Sequence, residues 1–235
     1  MSTFQLRQQA ALPWLQNLGQ QTVALAAFCL ADNHQPLASY RSHNPGSNHN
    51  AWLELCPSKH INSVFTELYR VMQWDKECLI LCNATQLGIM QLFGQAAGFR
   101  LGPLRVAQLQ NRRGNLSQYY LLHFRKGRPP ASWRQQQQLF QLPYQADVAM
   151  PQQLFESLLE QFTQPNDLVI DPFMLDGSIA SYTLQQQRRF AGAQADSDKF
   201  DLLKRQLNAL PDATELMRQS ISDNNENSTG QIQLL

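Results

Sequence analysis

Three short stretches carry residue types that could do chemistry. The first is Cys56-Pro57-Ser58-Lys59, followed by His60. A thiol with an imidazole nearby is a pairing used in covalent catalysis, because a base activates the thiol. The plain alternative is a buried thiol at the end of a strand, a usual place for free cysteine. The second is Asp171-Pro172-Phe173-Met174-Leu175-Asp176-Gly177-Ser178. A glycine in a turn between strand and helix lets backbone approach a ligand and aims helix N–H groups at it. The alternative there is an ordinary turn in which Asp176 caps the helix. The third is a set of cations, Arg112, Arg113, Arg125, Lys126 and Arg128. Guanidinium groups suit phosphate contact; the alternatives are a solvated surface and a face for an acidic partner. No metal set is legible. Cys78 and Cys82, four apart on a strand, are separated by about 13 Å, too far to share an ion. His34, His43, His49 and His60 follow no zinc spacing.

These residues need elements to hold them. Phe4 to Gln20 reads as loosely helical, with a break at Pro13. Val23 to Ala31 is a continuous apolar run of strand length. His34 to Asn50 is a long polar loop, and Trp52 to Cys56 a short strand. Ile61 to Met72 repeats its apolar residues every 3.6 positions, as a helix does. Cys78 to Cys82 is a buried strand, and Thr85 to Ala97 a helix ended by Gly98. Leu101–Leu109 and Ser117–Arg125, joined by a glycine-containing connection, form an antiparallel hairpin. Residues 127–145 read as a polar linker. Pro151 opens a helix to about Phe162. Asp167–Asp171 is a strand, Ser178–Gln187 a helix, Phe190–Ala195 a strand and Ser197–Leu207 a helix. The polar tail from Gln219 is expected to be disordered. Strands alternating with helices predict an α/β fold with a mostly parallel sheet.

Composition sets outer limits. Of 235 residues, 43% are hydrophobic and 16% charged, too apolar for a disordered chain. Four cysteines do not make a disulfide scaffold, and a reducing, cytoplasmic setting is expected. The longest apolar run is about half a membrane span, and the N-terminus lacks the features of a secretory signal. The net charge of +1 hides a block structure. Between Glu77 and Asp147 there is no acid and there are eight Lys or Arg, so this block is +8 and the remainder −7. A one-signed block attracts polyanions.

Met150 to Leu207 resembles the S-adenosylmethionine-binding half of the amino-group DNA methyltransferases, which methylate cytosine N4 or adenine N6. The matching pieces are DLVIDPF, the turn MLDGS, RRFAGAQAD and the helix to Leu207. Upstream, INSVFTELYRVMQWDKECLILCN and LFGQAAGFRLGPLRVAQLQNRRGNLSQYYLLHFRKGRPP resemble the catalytic half, in the permuted order that places it first. The resemblance covers roughly residues 50–208. It implies a Rossmann-like methyltransferase fold, a mostly parallel seven-stranded sheet with an antiparallel hairpin and helices on both faces. It divides the chain into an extension and loop (1–50), a catalytic-like half (51–128), a linker (129–149), a cofactor-like half (150–210) and a tail (219–235).

The resemblance also assigns roles. Cofactor contacts fall on Asp171, Phe173, Asp176, Gly177, Ser178 and Gln194. Leu175 stands at a family glycine, Met150 at a lysine, and Gln194 at the acid that accepts from the ribose hydroxyls; Asp196 is expected to cap a helix. The catalytic position falls on Cys56, Pro57, Ser58 and Lys59. There the family carries Asp, Asn or Ser, then Pro-Pro and an aromatic that stacks on a flipped base. Cysteine is a poor acceptor, and Lys59 has no π face. Turn, ribose acceptor and catalytic loop have therefore all drifted. The expectation is a methyltransferase scaffold with catalysis lost, binding nucleic acid (DNA before RNA) or a partner methyltransferase. S-adenosylmethionine is its cofactor if it has one. The alternatives are an active DNA methyltransferase with a rebuilt site, and an interaction protein, such as a homodimer, with no ligand.

Overall fold

The computed structural model describes residues 4–30, 58–110, 116–130, 139–142 and 150–210. The elements, in chain order, are β1 (Phe4–Arg7), α1 (Ala11–Gln16), β2 (Val23–Cys29), α2 (Ser58–Val71), β3 (Met72–Cys82), α3 (Ala84–Ala96), β4 (Arg100–Leu101) and β5 (Arg105–Gln110). They continue with β6 (Leu116–Lys126), β7 (Leu139–Leu142), α4 (Gln152–Phe162), β8 (Leu168–Asp171), α5 (Ser178–Gln185), β9 (Arg189–Ala193) and α6 (Ser197–Asn208). The strands form one sheet in the order β1-β9-β8-β2-β3-β6-β5-β7, with β4 also paired to β6. The pairings from β1 to β3 are parallel; β6 runs antiparallel to β3, β4 and β5; and β7 is parallel to β5.

Strands buried on both faces need apolar residues at consecutive positions, and β2 and the end of β3 supply them. In β3, Cys78, Ile80 and Cys82 point into one core with α1, α2 and α3. Leu79 and Leu81 point into the other, with α4, α5 and α6. The two thiols are thus free core side chains. Burial pushes that of Cys82 up to about 12 and that of Cys78 higher still. At the end of α3, Gly98 turns the chain at φ +104°, a conformation glycine adopts freely.

Three expectations change. The N-terminal segment is not one helix. Phe4 and Leu6 alternate with exposed Gln5 and Arg7, the period of a strand, and β1 adds to the edge of β9 while α1 follows separately. The linker 127–145 contains β7, whose Phe140 and Leu142 pack on the core. With β1, β4 and β7, the sheet has nine strands among the described residues rather than seven. The strand expected at Trp52–Cys56, the loop before it and the tail lie outside the described residues. Among the described residues no helix is long and apolar enough to cross a membrane.

Candidate functional site

The chain leaves β2 for β3 on one side and β8 for β9 on the other, so the sheet's order reverses between β2 and β8. Ligands of open α/β sheets bind beyond the carboxyl ends of the strands at such a point. Cys29, followed by Leu30, and Asp171 end the two strands there. Leu30 donates to the Leu81 carbonyl at 2.7 Å, and its own carbonyl accepts from Gln86 Nε2 at 2.9 Å. Gln86 also closes a reciprocal cap with Asn83 at the start of α3. That Asn-x-x-Gln spacing is a helix-start signal visible in the sequence, and it identifies a residue the sequence reading passed over.

The turn after β8 is tightly built. Asp171 is 4% exposed and its Oδ1 accepts from the Phe173 N–H at 2.9 Å. Burial raises its carboxyl to about 8, opposed by the Phe173 bond and assisted by the charge of Asp176. The Phe173 ring meets Phe28 of β2 with centroids 5.2 Å apart. Gly177 has φ +76°, and a Cβ there would come within 2.8 Å of Leu203. Asp176 Oδ1 accepts from Ser178 N and Oγ at 3.0 and 2.8 Å, fastening the first residue of α5. Met150 is buried, and its N–H points to Ser178 Oγ at 3.4 Å.

Gln194 is 2% exposed. Its Nε2 donates to the Met174 carbonyl, and its Oε1 accepts from the Asp196 N–H at 2.9 Å. Its backbone is also engaged, donating to the Arg7 carbonyl at 3.0 Å and accepting from Gln9 at 3.1 Å. Asp196 caps α6 through the Lys199 N–H at 2.9 Å. Met174 is buried with its sulfur over Gly192, where a Cβ would lie 2.3 Å from Sδ. Leu175 packs partly buried beside the same core. A ribose acceptor must offer an outward lone pair, and a methionine cradle needs bare backbone. Gln194 and Leu175, to which the resemblance assigns those two contacts of S-adenosylmethionine, do not fit them.

The structure moves much of the basic set away from this site. Arg125 pairs with Glu77 of β3, and that level also holds Leu25, four residues short of Cys29 at the end of β2. This places Arg125 about 13 Å back toward the amino ends of the strands. It bonds Glu77, approaches Asp75 at 3.2 Å, and donates from Nε to the Arg128 carbonyl at 2.8 Å. Glu77 also meets His123 Nε2 at 2.8 Å, and burial holds that imidazole below its usual range. Lys126 is 4% exposed, and its Nζ donates to the carbonyls of Tyr69 and Met72, each at 2.7 Å, with the Tyr69 and Trp74 rings beside it. Arg125 and Lys126 are therefore held by protein partners within the fold. Arg128 is exposed.

Arg112 and Arg113 lie outside the described residues. The flanking ends of the hairpin, Gln110 and Leu116, reach past Cys82 on the same side as the turn after β8. Cys56 and Pro57 also lie outside. Ser58 and Lys59 are at the start of α2. The described residues contain no group of His, Cys, Asp and Glu able to hold a metal.

Residues 123–205 match a family model described as DNA methylase. The Type II methyltransferase M.BglII of Bacillus subtilis is 34% identical over 62 residues, which take in 26% of this chain and 17% of that enzyme. TTHA0409 of Thermus thermophilus, solved with S-adenosyl-L-methionine, superposes with a TM-score of 0.63 at 16% identity, covering 87% of this chain and 94% of its own. The PvuII DNA methyltransferase, cytosine-N4-specific, superposes at 0.62 and 12% identity, covering 90% and 88%. At these identities the structural likeness speaks to the fold.

Proposed function

We propose that this chain, whose residues 123–205 match the DNA methylase family model, is a methylase-fold protein that binds nucleic acid and has lost methyl transfer. One observation carries the loss. The catalytic segment reads Cys56-Pro57-Ser58-Lys59. Methylation of an exocyclic amine needs a strong acceptor for its N–H groups and a flat partner for the flipped base. A thiol and an ammonium provide neither. The nucleic-acid reading is supported by the acid-free block with its eight cations, of which Arg112, Arg113 and Arg128 are the members assigned to phosphate. A partner methyltransferase is the other binding role proposed for this scaffold. The buried thiols of Cys78 and Cys82 suit a reducing compartment such as the cytoplasm.

A second reading, an active enzyme, is favoured by the retained Asp171, Gly177 and Ser178 of the turn. Two measurements separate them. Anisotropy titration with DNA and RNA is expected to show binding that weakens by roughly fortyfold between 50 and 200 mM salt, as for about three phosphate contacts. No binding to either polymer removes the nucleic-acid reading. Transfer of a labelled methyl group to DNA would establish the active one.

A further inference from the structure

We propose that Gln194 clasps the turn after β8 shut, so that the folded chain does not take S-adenosylmethionine. This rests on the methylase-fold reading of the turn and is independent of nucleic-acid binding. The clasp is a set of contacts that an amide can make and a carboxylate cannot. Nε2 of Gln194 donates to the Met174 carbonyl while Oε1 accepts from the Asp196 N–H. A carboxylate at this position would set an oxygen against the Met174 carbonyl oxygen, two acceptors with no proton between them.

The rest of the turn agrees with the closed form. Met174 fills the space left by Gly192, and Leu175 rests against the core. The backbone of Gln194 is tied to Arg7 and Gln9, so the N-terminal strand seals the same strand end from the other side. Every polar group of Gln194 has a protein partner, and the side chain that would face a ribose is turned inward. The replacement of the acid is matched to a ligand-free fold.

Thermal melting of the full chain with and without S-adenosylmethionine and S-adenosylhomocysteine tests this, with DNA titration run on the same preparation. The wild-type Tm is expected not to move with either ligand; a ligand-dependent rise overturns the clasp whatever the DNA result. Gln194→Glu is expected to melt roughly 5 °C lower, since it buries an unmatched acceptor. A variant that melts with the wild type overturns the proposal. If Gln194→Glu yields no folded protein, hydrogen exchange on the wild type decides. A slowly exchanging Asp196 amide is expected, and one exchanging at the rate of an open loop overturns the clasp.

Discussion

Asp171 is a carboxyl group that the fold keeps from ionising at neutral pH. Its side chain is buried and its pKa is raised to about 8, against about 3.9 for an unfolded aspartate. The stabilisation from the protonated form is complete below the unfolded value and is lost as pH rises through the folded one. Asp171→Asn keeps an oxygen to accept from Phe173 and cannot ionise. The variant is expected to melt with the wild type near pH 4 and increasingly above it toward pH 8. A constant difference across that range would show that Asp171 ionises normally. Lys126 makes the complementary case among the cations. Lys126→Ala strips a donor from the carbonyls of Tyr69 and Met72. It is expected to cost about 1–3 kcal/mol in urea unfolding and to leave nucleic-acid affinity unchanged. A drop in affinity without loss of stability would return Lys126 to the phosphate set. Nothing in the one-dimensional string separates Lys126 from Arg128; Lys126 closes β6 over the carbonyls of Tyr69 and Met72, whereas Arg128, two residues past the strand, is exposed.

At the scale of elements, α3 contains two glycines with opposite surroundings. A Cβ on Gly88 would meet nothing within 4 Å, whereas one on Gly94 would come within 2.3 Å of the Phe124 ring. Gly88→Ala is expected to raise stability by about 0.5–1 kcal/mol through helix propensity. Gly94→Ala is expected to lower it by about 1–3 kcal/mol by forcing helix and sheet apart. Urea midpoints of the two variants check both; equal shifts of the same sign would contradict the packing of α3 on β6. The long apolar periods of α2 and α4 and the apolar runs of β2 and β3 were legible because each spans enough residues to show its period, and the short β8 because its apolar residues are consecutive. β1 and β7 were not. Each has four residues, too few to establish a period, and each becomes a strand by adding to a neighbour, β9 or β5.

For the whole molecule, the charge block is real in sequence and divided in space. Arg105 is buried, and Arg125 and Lys126 are spent on Glu77, Asp75 and backbone carbonyls. Fewer cations remain for a polyanion than the +8 block suggests. Changing Arg112 and Arg113 together to Ala is expected to reduce the log–log salt slope of nucleic-acid binding by about 2 while leaving Tm in place. An unchanged slope would remove the hairpin connection from the interface. The residue string alone determined the α/β class, the order of most elements, the methylase-like pieces and the substitutions at Cys56, Lys59, Leu175 and Gln194, because these depend on local period and on residue type at a motif position. Only the tertiary structure decided which cations face inward, that the N-terminus joins β9, and that Gln194 uses both ends of its amide on Met174 and Asp196. Those outcomes depend on partners distant in the chain, and a hydrogen bond or an ion pair exists only once folding has brought both of its ends together.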